Sequence, residues 1–277
     1  MSLSAVRGHG VRAVRAARRR PRRRRRLSAG RIWTLRLLSL LVVLGGWEWY
    51  GRNTNPVLFT YPTAIVQAGV ELAREGPLTT ALGQSLSVFA IGLGLATMAG
   101  IALGLAEGRS RTVEALLDIP ISALYATPMV ALVPVMVLWV GFGVVSKVVV
   151  VFLFAVFPIL INTARGVREV DPQLIEVARS YHASEVGLSK DVVLPSALPY
   201  IVTGLRLAVG RALVGIVIAE FYTAIGGLGF LIVSYANTFQ TAKVFVPITI
   251  LMTIGVVLTA ALQFLESRLA PWQHRTA

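Results

Sequence analysis

Residues Glu176–Pro195 read EVARSYHASEVGLSKDVVLP, a polar stretch of 20 residues between two long apolar segments. In a strongly apolar chain, such charged side chains belong in water, because moving them into hydrocarbon is costly. We therefore expect an exposed loop that presents a docking surface to a soluble partner. The alternative interpretation is a loop that only covers the ends of the neighbouring helices.

Two short helices are predicted here. Asp171 followed by Pro172 is a typical helix start, because Asp caps free N–H groups and Pro fits the first turn. Glu176 and Arg179 are expected on one face, and helical spacing predicts an apolar face made of Leu174, Ile175, Ala178 and Tyr181.

The second helix is predicted to start at Ser184 and to end at Leu194-Pro195, with Glu185 in its first turn. The two helices should meet at His182-Ala183. A bent pair of this kind can place an apolar ridge in a groove of a partner, while charges set the register.

Composition indicates a membrane protein without covalent chemistry. The 277 residues are 55% hydrophobic and 14% charged, where a soluble domain has about 25% charged residues. There is no cysteine, the three histidines are far apart, and no G-x-x-x-x-G-K-[ST] pattern occurs. We expect no metal, no cofactor and no enzyme activity, and any ATP chemistry must come from another chain.

Six apolar windows are long enough to cross a bilayer core of about 30 Å as helices. They predict an all-α, polytopic membrane protein with six transmembrane helices. Pro128 and Pro134 should kink the third window or divide it in two. Gly92, Gly94, Gly100 and Gly104 in the second predict close helix contact, with a ligand site as the alternative. The windows are Ile32–Tyr50, Leu82–Ala106, Ile119–Phe142, Val144–Ile161, Ala197–Ala219 and Phe245–Leu265.

The first 31 residues form a separate, basic segment that contains 12 arginines. We expect a disordered tail that helps orientation beside anionic lipid, with a nucleic-acid-binding arm as the alternative. Lys and Arg also concentrate in alternate loops, which places both termini and the Glu176–Pro195 loop in the cytoplasm. Residues 32–277 are predicted to form one transmembrane domain.

Two ionisable residues in the fifth window are candidates for the translocation path. Arg211 is too deep to reach water easily, so it should face either the path or a buried structural partner. Glu220 lies near the other end of that window. Arg206 is close enough to an end to extend its charge to the membrane surface.

The loop resembles that of the inner-membrane permeases of binding-protein-dependent ABC importers, which carry the pattern E-A-A-x3-G-x9-I-x-L-P. The spacing is kept, but Val177 replaces an Ala and His182 replaces the Gly, a position where a left-handed backbone suits Gly best. The resemblance implies that this loop, within about residues 163–196, seats in a cleft of an ATPase subunit. The matching and neighbouring residues are Glu176, Val177, Ala178, Arg179, His182, Val192, Leu194 and Pro195.

From about residue 55 onward the chain is similar to the nitrate, sulfonate and taurine branch, and permeases for pyrimidine precursors look similar. The residues that carry this resemblance include Tyr61-Pro62, Ser85 with Gly92, Gly204-Leu205-Arg206 and Gly227-Leu228-Gly229. The branch implies a bacterial inner-membrane importer with a permease dimer, two ATPase subunits and a periplasmic solute-binding protein. It implies a small, anionic solute. The alternatives are a secondary transporter driven by an ion gradient, with Glu220 as its acidic residue, and a membrane scaffold that recruits a soluble protein.

Overall fold

The computed structural model describes residues 29–269, and every regular element among them is helical. The predicted all-α class is therefore confirmed. A π-helical turn at Ser189–Val193 joins α8 to α9. The helices are α1 (Ala29–Arg52), α2 (Pro62–Glu75), α3 (Pro77–Arg109), α4 (Arg111–Ala126), α5 (Met129–Val140), α6 (Val144–Arg168), α7 (Pro172–Ser180), α8 (Glu185–Leu188), α9 (Leu194–Thr223), α10 (Leu228–Asn237) and α11 (Thr241–Leu269).

The chain divides into two compact units, Met1–Gly45 and Gly46–Ala277. Of the first unit the structure describes residues 29–45, which are helical. Most of the predicted arginine-rich tail lies outside the described residues, and its boundary at residue 31 stays a prediction. The features below belong to the second unit.

Four helical stretches of the described chain are long and apolar enough to cross a membrane, and α4 with α5 makes a fifth if the bent pair counts as one span. The predicted window Ile32–Tyr50 lies within α1 but is not among them, so the count of six is not confirmed. The four stretches are Pro77–Arg109, Val144–Arg168, Glu185–Thr223 and Thr241–Arg268.

The third predicted window is divided in two. Its parts, α4 and α5, meet at an angle of 99°. The break falls at Thr127-Pro128, where Thr127 has the extended backbone (φ −69°, ψ 133°) that a following proline favours. Pro134 lies inside α5, so of the two prolines named from the sequence, Pro128 is the one at the division.

Helices α3, α6 and α9 form the centre of the second unit. Their contact surfaces bury Val151, Ala155 and Ile159 of α6 together with Ala208 and Ala212 of α9. Small residues let the helix backbones approach closely. Because lipid tails are as apolar as these side chains, van der Waals contact and not the hydrophobic effect holds the helices together.

The α3–α6 seam is a close contact along most of its length. A Cβ atom added to Gly92, Gly100, Gly104 or Gly108 would come within 2.6–2.8 Å of a side-chain carbon of α6. Helix contact is thus confirmed for three of the four predicted glycines. Gly94 is the exception, because nothing lies within 4 Å of its added Cβ, and Gly108 takes part instead.

Candidate functional site

The loop forms the predicted bent pair of helices, which we call the α7–α8 corner (Pro172–Leu188). A carboxylate oxygen of Asp171 accepts a 2.9 Å hydrogen bond from the Gln173 N–H at the start of α7. The hydroxyl of Ser184 accepts a 3.1 Å bond from the Gly187 N–H at the start of α8. Both predicted caps are confirmed.

His182 has the left-handed backbone expected at the position where the family pattern has Gly. Its φ is +57°. The His182 N–H donates to the Arg179 carbonyl at 2.9 Å, and the Ala183 N–H donates to the Ala178 carbonyl at 3.1 Å. This pair of bonds is the Schellman pattern that commonly ends helices at a left-handed residue. His182 therefore forms the same turn as a glycine would, but at a higher conformational energy.

The predicted apolar face of α7 is wrong in part. Ile175 and Ala178 pack against the buried cluster below the corner, but Leu174 and Tyr181 are exposed, by 50% and 83%. Val177, also 54% exposed, joins them because residues three and four apart share a helix face. We call Leu174, Val177 and Tyr181 the exposed stripe.

The charged residues of α7, Glu176 and Arg179, are exposed beside this stripe. Arg179 also lies 4.0 Å from the Glu185 carboxylate. An open groove of about 400 Å³ lies between α7 and the start of α9. Its lining residues are Leu174, Val177, Ala178, Asp191, Val192, Pro195 and Ser196.

The second helix does not end at Leu194-Pro195 as predicted. Helix runs from Glu185 to Thr223 through the π-turn. There the Leu194 N–H bonds to the Ser189 carbonyl, five residues back. Pro195 follows directly, at the start of α9, where its missing N–H costs least. The wider turn thus lets the helix continue through a proline.

Arg211 lines a cavity of about 580 Å³ at the break between α4 and α5. Its guanidinium donates a 2.9 Å hydrogen bond to the Tyr125 hydroxyl and lies 4.8 Å from the centre of that ring. Leu153, Phe154 and Phe157 of α6 line the same space. Arg211 is exposed to this cavity and not buried in a structural pair. We call this space the Arg211 cavity.

Glu220 does not line the Arg211 cavity and is only 1% exposed. Its Oε1 accepts a 2.7 Å bond from the Ser85 hydroxyl, and its Oε2 accepts a 2.7 Å bond from the Gly229 N–H. Ser85 in turn accepts a 2.8 Å bond from the Leu228 N–H. Glu220 therefore fixes the start of α10 against α3, and no contact here supports its predicted place in the path.

Lys147 of α6 is buried as well, and it donates to the carbonyls of Ile225 and Gly226, in the turn between α9 and α10. The sequence analysis assigned neither Ser85 nor Lys147 to buried contacts of this kind. A charged residue in an apolar helix was the available signal for Lys147. For Arg206 the sequence predicted only that its charge reaches the membrane surface. In the structure it also forms an ion pair with Glu266 of α11.

Among residues 29–269, no three His, Cys, Asp or Glu side chains lie close enough to hold a metal ion. The cavity supplies one cation, Arg211, among apolar walls, and the corner supplies apolar surface flanked by charged side chains of both signs, such as Glu176 and Arg179. Such groups can bind and orient a solute or a protein.

The sequence profile of one family, the binding-protein-dependent transport system inner membrane component, matches residues 79–271. The chain belongs to this family. The match covers α3 to α11, and so includes both the α7–α8 corner and the Arg211 cavity.

Several relatives align with most of this chain. The permease is 34% identical to the putative aliphatic sulfonates transport permease protein SsuC of Bacillus subtilis (strain 168), over 87% of this chain and 88% of that one. It is 35% identical to the formylaminopyrimidine transport permease protein ThiX of Halalkalibacterium halodurans, over 87% and 96%. The taurine transport system permease protein TauC of Escherichia coli (strain K12) is 33% identical, over 86% and 90%.

A solved structure described as inward-facing conformations of the MetNI methionine ABC transporter has the same fold. It superposes with a TM-score of 0.55 at 19% identity and covers 72% of the permease and 97% of that chain. The family and the relatives show that the permease is a multi-pass membrane subunit of an ABC importer and not an enzyme. Its family works with an ATPase and a solute-binding protein, which sets aside the gradient-driven and scaffold alternatives.

Proposed function

We propose that the permease carries a small anionic solute of the sulfonate, taurine or nitrate type through the Arg211 cavity. The observation that carries this proposal is the exposed guanidinium of Arg211 in an otherwise largely apolar space of about 580 Å³. A single cation among apolar walls attracts one negative charge and leaves room for a short organic group. The names of two relatives, for aliphatic sulfonates and for taurine, support this choice.

The test of the cavity is Arg211→Gln in the complete importer, reconstituted in vesicles. A charge-assisted hydrogen bond contributes about 1.5–3 kcal/mol, so uptake at limiting solute should fall roughly tenfold or more. Arg111→Gln, at the exposed start of α4, is the matched control and should transport normally. Normal uptake by Arg211→Gln would remove Arg211 from the path.

We further propose that the α7–α8 corner seats in the ATPase subunit, with the exposed stripe in an apolar groove of that partner. Glu176 and Arg179 flank the stripe and would set the register by charge. Val192, Leu194 and Pro195 support the corner from the π-turn and the start of α9. In this arrangement the corner lies in the cytoplasm, as do both termini, and two copies of the permease face two ATPase subunits.

Glu176→Lys tests the docking, because it reverses one charge without touching the helix caps. The ATPase subunit should no longer co-purify with the permease, while membrane insertion stays normal. Glu75→Lys, at the end of α2 and also exposed, is the control. A Glu176→Lys complex that assembles and transports would rule out this docking surface.

Transport then follows from a difference in binding between states. ATP-bound and ATP-free partners must stabilise different arrangements of the same helices, since a partner with equal affinity for both shifts nothing. The corner supplies the contact through which that difference reaches the membrane helices. Solute delivered by the binding protein would reach the Arg211 cavity from the opposite end.

A further inference from the structure

Arg109, the last residue of α3, makes three contacts with α8 of the corner and with the π-turn that follows it. Its guanidinium forms an ion pair with the Glu185 carboxylate and donates to the Ser189 hydroxyl. It also donates a 3.3 Å hydrogen bond to the Glu185 carbonyl. Glu185 is the first residue of α8, and Ser189 is the first residue of the π-turn that follows α8. The Arg109 side chain therefore contacts both ends of α8.

Packing alone does not close this junction. An apolar groove of about 280 Å³ lies between the end of α3 and the α8 segment. Leu105 and Arg109 line it on one side, with Val186, Ser189 and Val193 on the other. Arg109 therefore bridges the part of this junction that packing leaves open, beside the buried Leu188 and Val193, whose cluster Leu105 packs against.

The two sides of this bridge differ in rigidity. On the α3 side, Gly104 and Gly108 hold the helix tightly against Thr163 and Val167 of α6. On the other side is the π-turn, a local irregularity of a kind that is frequent at functional sites. If the Arg109 side chain were removed, we expect a displacement of the corner to bend the Glu185–Thr223 helix at the π-turn.

We propose that Arg109 is a positioning residue that passes movement of the α7–α8 corner to the α3–α6 seam. The contacts to Glu185 and Ser189 make α8 and the end of α3 move as one body. In their absence the corner moves, the π-turn absorbs the displacement, and ATP is hydrolysed without transport. This inference rests on the proposed docking of the corner.

A stability role alone does not account for the arrangement. The Glu185 side chain is 71% exposed, and exposed ion pairs contribute little to folding. The planar fork of Arg109, in contrast, fixes geometry because it reaches the carboxylate, the carbonyl and the hydroxyl together. Lys at this position would keep the charge but not all three contacts.

The experiment uses the complete importer in vesicles and measures solute transported per ATP hydrolysed. For Arg109→Gln the ATPase subunit should still co-purify, and transport per ATP should fall at least about fivefold. Arg109→Lys should recover part of the loss. Arg165→Gln, which removes another exposed ion pair of the same region, to Glu169 at 3.7 Å, should couple normally.

A distance measurement gives a second readout that a merely structural role would not change. The chain has no cysteine, so spin labels attach only at cysteines that are introduced. We choose Leu103→Cys on α3 and Ser180→Cys on α7. In the parent complex the label distance should be the same with and without ATP. In the Arg109→Gln complex ATP should shift or broaden it.

Normal transport per ATP in Arg109→Gln, with an unchanged label distance, would overturn the inference. If that variant fails to assemble, Ser189→Ala decides: reduced transport per ATP supports the inference and normal coupling overturns it. Failure of the docking proposal is recognised separately, by a Glu176→Lys complex that assembles normally.

Discussion

The hydroxyl of Ser85 on α3 donates a 2.7 Å hydrogen bond to Oε1 of Glu220 on α9, 135 positions further along the chain. The same hydroxyl accepts from the Leu228 N–H. One small side chain thus connects α3, α9 and α10 in a place closed to water.

Ser85→Ala should destabilise the permease. It leaves the Leu228 N–H and one oxygen of Glu220 without these partners, and each unpaired buried group costs about 1–3 kcal/mol. The thermal unfolding temperature of the purified importer should fall clearly. Ser87→Ala is the matched control, since its exposed hydroxyl bonds only within α3, to the Gln84 carbonyl. Equal unfolding temperatures for the two variants would contradict the structural role of Ser85.

Glu220→Gln separates a structural role from a role in the path. Both carboxylate oxygens of Glu220 accept a hydrogen bond here, whereas Gln has one acceptor oxygen. One of the two bonds must be lost or rearranged, so the unfolding temperature and the uptake rate should fall together. Glu71→Gln breaks an exposed pair with Lys243 and should change stability by less than about 1 kcal/mol. Reduced uptake by Glu220→Gln at unchanged stability would return Glu220 to the path.

His182→Gly should stabilise the α7–α8 corner, because glycine adopts a φ of +57° without steric cost. The free energy needed to open the turn should rise by about 1 kcal/mol, which slows exchange of the Ala183 amide hydrogen about fivefold. His182→Ala is the comparison, and it should speed the same exchange, since alanine tolerates this backbone less well than histidine. Identical exchange in the Gly and Ala variants would mean that the left-handed turn is not strained.

Gly104→Ala should weaken the α3–α6 seam. The added methyl group would lie 2.6 Å from Cβ of Thr163 and 2.7 Å from the Leu160 carbonyl oxygen, and overpacking of this kind costs about 1–3 kcal/mol. Gly94→Ala offers a control on the same helix, where nothing lies within 4 Å. That variant should be neutral or slightly stabilising, because alanine favours helix. The pair can be compared by thermal unfolding, and a Gly94→Ala loss as large as that of Gly104→Ala would contradict the assignment.

Local features were predictable from the sequence because their causes are local. The caps by Asp171 and Ser184 depend on residues two or three positions away, and the left-handed turn at His182 depends on the end of α7. The break at Pro128 coincides with the extended backbone of Thr127, which a following proline favours. In each case a few neighbouring residues determine the outcome.

Features that depend on distant partners were not predictable. The bond between Ser85 and Glu220 and the contacts of Arg109 join parts of the chain about 75 to 135 positions apart. The face of α7 was misassigned because helical spacing marks Leu174 and Ile175 as equally apolar, and tertiary packing decides which of them is covered. The sequence also predicted a helix end at Pro195, where the π-turn allows the helix to continue.

The π-turn at Ser189–Val193 also sets the azimuth of everything beyond it. Each α-helical residue turns the chain by about 100°, and a π-turn accommodates one residue more than an α-turn does. Arg211 lies 17 positions after Leu194 on the same helix. The extra residue therefore sets how the α7–α8 corner is rotated about the helix axis relative to the face of α9 that carries this guanidinium.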